Sequence, residues 1–140
     1  AFEIDEPAAG RVLQNVMAGF EYEVFSLLKK DSLEITEQDR QALKAYIVNH
    51  SANKILITHG SDTMPETAEF LGNISHKTIV LTGAYRPERF VNSDAAFNIG
   101  VAIGVLNTLE EGTFIAMNGR VYPAGNVRKH PDTGKFEMIN

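Results

Sequence analysis

The run Lys54-Ile55-Leu56-Ile57 is short and apolar, and it stops at Thr58-His59-Gly60. A helical pattern begins soon after, over 64–71, with Pro65 in its first turn. A buried strand that turns so quickly into a helix reads as the start of a strand–helix–strand unit. The pattern repeats along the chain. Strands are expected over 78–81 and 113–117, with a long helix over 93–109 between them. Strands that alternate with helices predict an α/β fold of three layers, a mostly parallel sheet with helices on both faces. Right-handed crossovers would then gather the strand-to-helix loops on one edge of the sheet. In such folds ligands bind at that edge.

The remaining segments fit around this frame. Residues 2–5 read as extended, 7–18 as a helix, 20–28 as a strand and 29–35 as a loop. A helix is expected over 36–50. Thr36 is placed to cap it, Glu37 and Asp39 suit its positive end, and Leu43, Tyr46 and Ile47 form one face. Asn118-Gly119 is a strong two-residue hairpin signal, which makes 120–122 a return strand. The stretch 127–140 reads as mixed loop with a final strand around Phe136. There is no repeat and no linker, and 140 residues suffice for one domain with a core. The chain opens on Ala1 rather than methionine, which implies a segment removed or lying upstream.

Composition excludes several functions. The net charge is −5 and no basic run occurs, so nucleic acid and anionic membranes are poor partners. No apolar stretch approaches the roughly 20 residues that span a bilayer. Cysteine is absent, which removes disulfides, thiolate catalysis and cysteine metal sites and fits a cytoplasmic protein. None of His50, His59, His76 and His130 forms a ligand pair at metal-binding spacing, so no metal site is expected. The glycine-rich signatures of dinucleotide and triphosphate binding are missing.

Three polar loops remain as candidates for one site: Asp31-Ser32, Gly60-Ser61-Asp62-Thr63, and 83–94. Ser61 and Asp62 admit two readings. Either Asp62 or Thr63 caps the following helix, or the hydroxyl and the carboxylate face a ligand, with Gly60 permitting close approach. Lys129 is either an ordinary exposed lysine or one whose burial lets it take a proton from a hydroxyl. Ser32 either stabilises a turn or binds a carboxylate. Arg86 reads as a loop brace ahead of a carboxylate clamp. His59, Ser61 and Asp62 are the residue types of a hydrolase triad, but along an extended chain alternate residues share a face and immediate neighbours oppose, so their adjacency does not give that geometry. The helix over 93–109 is apolar nearly all round, broken by Asn98, Gly100 and Gly104. Packing on the chain's own sheet accounts for one face, and a homo-oligomer contact is expected on the other.

His59-Gly60-Ser61-Asp62-Thr63-Met64, with Glu66-Thr67-Ala68, resembles the second signature of the bacterial-type L-asparaginase/glutaminase family, H-G-T-D-T-M-x-E-T-A. Asp31-Ser32 looks like that family's substrate-binding serine loop. The segment from Val80 to Pro87, then Ser93-Asp94, looks like its G-A-M-R-P…S-A-D-G segment. Ala116-Met117-Asn118-Gly119-Arg120-Val121, followed by Val127-Arg128-Lys129, looks like its V-M-N-D…V-T-K segment. Four motifs in the same order make the resemblance specific.

The resemblance implies an amidohydrolase that converts the side-chain amide of asparagine or glutamine to the acid and ammonia. It implies no metal or organic cofactor. Ser61 takes the place of the second catalytic threonine, Lys129 raises the reactivity of Ser61 or of a water, and Asp62 binds the substrate α-ammonium. Ser32 binds the α-carboxylate, with Asp31 and Gly60 beside the substrate. Residues 1–140 then correspond to the N-terminal domain. The T-G-G-T-I strand, which carries the usual first nucleophile, would lie before Ala1. Serine replaces threonine at Ser61 and tyrosine replaces methionine at Tyr85. The alternative is a non-catalytic module of the same fold that binds a small amino acid or a partner.

Overall fold

A computed structural model describes residues 32–84 and 93–140, together with Leu13 and Gly19. Leu13 apart, the expected elements over 2–5, 7–18 and 20–28 lie outside the described residues, as do Asp31, Tyr85 and Arg86.

A short 3-10 helix, Ser32–Glu34, replaces part of the expected loop. Helix α1, Glu37–Asn49, starts where Thr36 predicts. The Thr36 hydroxyl accepts from the Asp39 amide at 3.1 Å, and the Asp39 carboxylate accepts from the Thr36 amide at 2.9 Å. This reciprocal box satisfies donors that the first turn leaves unpaired. Then follow β1 (Lys54–Thr58), α2 (Met64–Leu71), β2 (Thr78–Thr82), α3 (Ala95–Thr108) and β3 (Gly112–Met117). Strands β4 (Arg120–Pro123), β5 (Val127–Lys129) and β6 (Phe136–Met138) complete the order.

The main sheet has four strands in the order β1-β2-β3-β4. The first three run parallel and β4 returns antiparallel. Asn118 and Gly119 make the tight turn between β3 and β4 with φ of 56° and 74°. Both angles are positive, as a two-residue hairpin of the right twist requires. Strands β5 and β6 form a separate antiparallel ribbon. The ribbon's second strand lies where a final strand was expected, around Phe136, and its first corrects the expectation of loop over 127–129. Its strands are only three residues long, too short to show a sequence period.

Alternate residues of the strands feed two cores. On one face Ile79, Leu81, Ile115 and Met117 pack with Met64, Ala68 and Leu71 of α2, with Ile47 of α1, and with Val127 and Phe136 of the ribbon. On the other face Val80 and Ala116 pack with Ala102 and Val105 of α3. Helices therefore cover both faces. The steps from β1 to β2 and from β2 to β3 go the same way across the sheet, yet their helices lie on opposite faces. The two crossovers thus have opposite hands, and the expectation of right-handed connections throughout is corrected. Parallel pairing alone puts both strand-to-helix loops at one edge. Helix α2 goes to the face where α1 and the ribbon complete its cover.

At that edge β1 and β2 are tightly braced. The His59 amide continues the ladder by donating to the Thr82 carbonyl at 2.9 Å. Gly83 is packed so closely that an added Cβ would lie 2.2 Å from the His59 carbonyl oxygen. The His59 ring is buried, with Nδ1 2.6 Å from the Gly60 carbonyl and Nε2 2.8 Å from the Thr67 hydroxyl. A carbonyl only accepts, so Nδ1 carries the proton and Nε2 accepts from Thr67. The Thr67 oxygen in turn accepts from Arg40 Nε at 2.8 Å. Burial, aided by the Arg40 charge and opposed by the Gly60 bond, lowers the His59 pKa from 6.5 to about 4. The ring is neutral at pH 7, as this chain of donors requires.

The unfolded chain binds a proton at His59 between pH 6.5 and 4, whereas the folded chain does not. Stability from this residue is therefore complete above 6.5 and is lost as pH falls through that window. Urea unfolding should show a loss of about 2 kcal/mol from pH 7 to 4.5 that is absent in His59→Gln. Equal pH slopes for the two proteins would refute the neutral, buried assignment.

Candidate functional site

Three chain segments meet at the carboxyl edge of the parallel strands. Strand β1 ends at Thr58, and the chain passes through Gly60 to Ser61, Asp62 and Thr63 before α2 begins. The Gly60 carbonyl points to the His59 ring. Because the peptide is planar and trans, the Ser61 N–H points away from that ring. The turn is thus fixed from behind by His59, Thr67 and Arg40. Helix α2 is anchored by Met64, which is fully buried. Thr63 is its N-cap residue and makes no side-chain capping hydrogen bond.

Lys129 is the last residue of β5. Its ammonium nitrogen donates to Ser61 Oγ at 2.9 Å and to Asp62 Oδ1 at 2.8 Å. The Lys129 side chain is 21 % exposed and that of Asp62 48 %. The Asp62 carboxylate faces Lys129, and Thr63 rather than Asp62 is the N-cap residue of α2. A hydroxyl, an amine and a carboxylate within hydrogen-bond reach can move a proton to or from the hydroxyl and hold a cation beside it.

The third segment follows β2. Gly83 and Ala84 are buried at the same edge, and the rest of the expected 83–94 loop, with Arg86, lies largely outside the described residues. Asn98 of α3 holds this end. It is 1 % exposed, and its Nδ2 donates to the Gly83 carbonyl at 2.8 Å and to Asp94 Oδ2 at 2.9 Å. Sequence reasoning met Asn98 only as an interruption of an apolar helix. A lone amide on a buried helix face must find partners, and that was the available signal. Arg40 and Thr67 carried no such mark.

Ser32 begins the 3-10 helix, and Asp31 falls outside the described residues. Gly60 sits in the turn itself. Beside the Lys129–Asp62 pair runs a cleft of about 320 Å³ between α2 and the ribbon, lined among others by Glu66, Glu69, Arg128 and Ile139. That is at the small end of ligand-sized pockets. The cleft reaches the site from the Asp62 and Lys129 side. Among the described residues no group of three or more acidic or histidine side chains is arranged to hold a metal. No helix among them is long and apolar enough to cross a membrane.

Residues 5–139 match the family model described as asparaginase, N-terminal. The chain is 34% identical over 109 residues to a glutaminase-asparaginase of Acinetobacter glutaminasificans, covering 74% of this chain and 32% of that protein. It is 34% identical over 92 residues to L-asparaginase 2 of Escherichia coli, covering 61% and 26%. Its fold is similar to the crystal structure of a probable cytoplasmic L-asparaginase from Campylobacter jejuni. The TM-score is 0.71 at 30% identity, over 79% of this chain and 39% of that one. The chain therefore spans well under half the length of these relatives. The chain belongs to the asparaginase family, and the part it matches is that family's N-terminal domain.

Proposed function

We propose that this domain carries the hydroxyl–lysine–carboxylate part of an amidohydrolase site for asparagine or glutamine. The observation that carries the reading is the placement of Lys129 Nζ at 2.9 Å from Ser61 Oγ and 2.8 Å from Asp62 Oδ1. Membership of the asparaginase family supports it, as do relatives named L-asparaginase and glutaminase-asparaginase.

In this reading the α-ammonium of the amino acid sits on Asp62 and its α-carboxylate on Ser32, with Asp31 and Gly60 beside it. Once the Lys129 ammonium has given a proton to water, its amine accepts the proton as the Ser61 oxygen, or a water held by it, bonds to the amide carbon. The carbonyl π electrons move to oxygen. When they return, the C–N bond breaks and Lys129 passes its proton to the leaving nitrogen, which departs as ammonia. If Ser61 bonded, a water activated by Lys129 then cleaves the ester, which restores the hydroxyl and releases the acid. The sum is amide plus water to acid plus ammonia.

A lysine in this role supplies general-base and general-acid assistance worth about 10²–10⁴ in rate. Lys129→Met, tested in the complete polypeptide by ammonia release from asparagine and glutamine, should lose at least about 100-fold in turnover. Unchanged turnover would defeat the assignment. Binding has its own test. Millimolar L-aspartate should raise the melting temperature of the parent chain by mass action, and Asp62→Asn should abolish the rise. An equal rise in both would remove Asp62 from the binding role.

We further propose a cytoplasmic homo-oligomer that joins through the outer face of α3. A relative named as cytoplasmic and the absence of cysteine support the location. Phe97 on that face is 61 % exposed, and nothing stands within 4 Å of a Cβ added at Gly100 or Gly104. Sedimentation should give a species larger than a monomer, and a monomer in dilute solution counts against the contact.

A further inference from the structure

The β5–β6 ribbon is a sheet of its own, yet it delivers the lysine. Something must fix it against the main sheet. Two hydrogen bonds run from the β3–β4 hairpin to the ribbon, and both end on the backbone of Phe136. The Phe136 amide donates to Asn118 Oδ1 at 2.8 Å. The Phe136 carbonyl accepts from the Tyr122 hydroxyl at 2.8 Å. Phe136 is the register partner of Lys129 across the ribbon. Its polar groups therefore face the hairpin, while its neighbour across the ribbon presents the amine to Ser61. Tyr122 is 3 % exposed, and burial raises the pKa of its phenol, which keeps the donor protonated.

Asn118 has two separable jobs. Its φ of 56° makes the turn, a task that glycine also performs. Its side-chain oxygen takes up the Phe136 amide, a task that glycine cannot perform and aspartate can. The turn alone explains why asparagine suits this position, but it leaves the side-chain bond unexplained.

We propose that Asn118 is a positioning residue: through Phe136 it clamps the ribbon so that the Lys129 amine meets Ser61 and Asp62. Tyr122 is the second jaw of the clamp. The catalytic meaning of the clamp rests on the reading of Lys129 as the group that activates Ser61.

The test compares Asn118→Gly, which keeps the turn and removes the acceptor, with Asn118→Asp, which keeps both. Tyr122→Phe removes the other jaw and leaves the turn untouched. The readout is the rate at which acetic anhydride modifies Lys129 relative to Lys54 in the same chain, followed by mass spectrometry. Asn118→Gly and Tyr122→Phe should raise that ratio at least about threefold, with Asn118→Asp near the parent value. In the complete polypeptide Asn118→Gly should lower kcat about tenfold, with KM for asparagine within about threefold, and Asn118→Asp should restore it. A ratio unchanged in both Asn118→Gly and Tyr122→Phe overturns the proposal, and so does an equal rise in Asn118→Gly and Asn118→Asp. If the ratio rises as expected while Lys129→Met still turns over, the clamp stands and the amidohydrolase reading fails.

Discussion

A lysine amine held between a hydroxyl and a carboxylate is the contact on which this structure's chemistry depends. The groups come from segments 67 and 68 positions apart. No local propensity brings them together. The contact exists because one turn is fixed at the end of β1, one ribbon is fixed against the β3–β4 hairpin, and both rest on the same buried cluster. Each partner alone is ordinary. Asp62 is half exposed, and an ion pair so open contributes little stability in water. Its value lies in orientation rather than in holding the fold together.

Two devices give that orientation. On one side the neutral, buried His59 locks the peptide before Ser61 through bonds to Gly60 and Thr67, with Arg40 behind. On the other, Phe136 is gripped by Asn118 and Tyr122. Both devices use buried or part-buried polar groups whose partners are all present, so each rigidifies its segment at small cost. Helix α2 joins them. It begins at the Ser61 turn, and its inner face packs in the cluster that also takes Val127 and Phe136. The opposite hands of the two crossovers follow from that shared cover.

Much of the fold was legible because the relevant signals are local. The apolar runs at 54–57 and 78–81, the Thr36 cap, Pro65 in the first turn of α2 and the Asn118-Gly119 turn each carry their own physics. Ser61, Asp62 and Lys129 were readable as residue types, and the resemblance to a known family joined them. Their mutual distance was not readable, since it depends on the placement of a three-residue strand with no period to detect. Asn98, Thr67 and Arg40 were missed for a related reason. Their roles are set by partners far along the chain, and nothing next to them in sequence marks those partners. The hand of the crossovers escaped because a general rule was applied where packing decided otherwise.

The most direct test of the central claim is a crystal structure of the complete polypeptide grown with L-aspartate. The account predicts Lys129 Nζ within about 3 Å of the Ser61 oxygen, with the ligand's ammonium against the Asp62 carboxylate. A structure in which the Lys129 amine turns to solvent and the ligand binds away from Ser61 would contradict it.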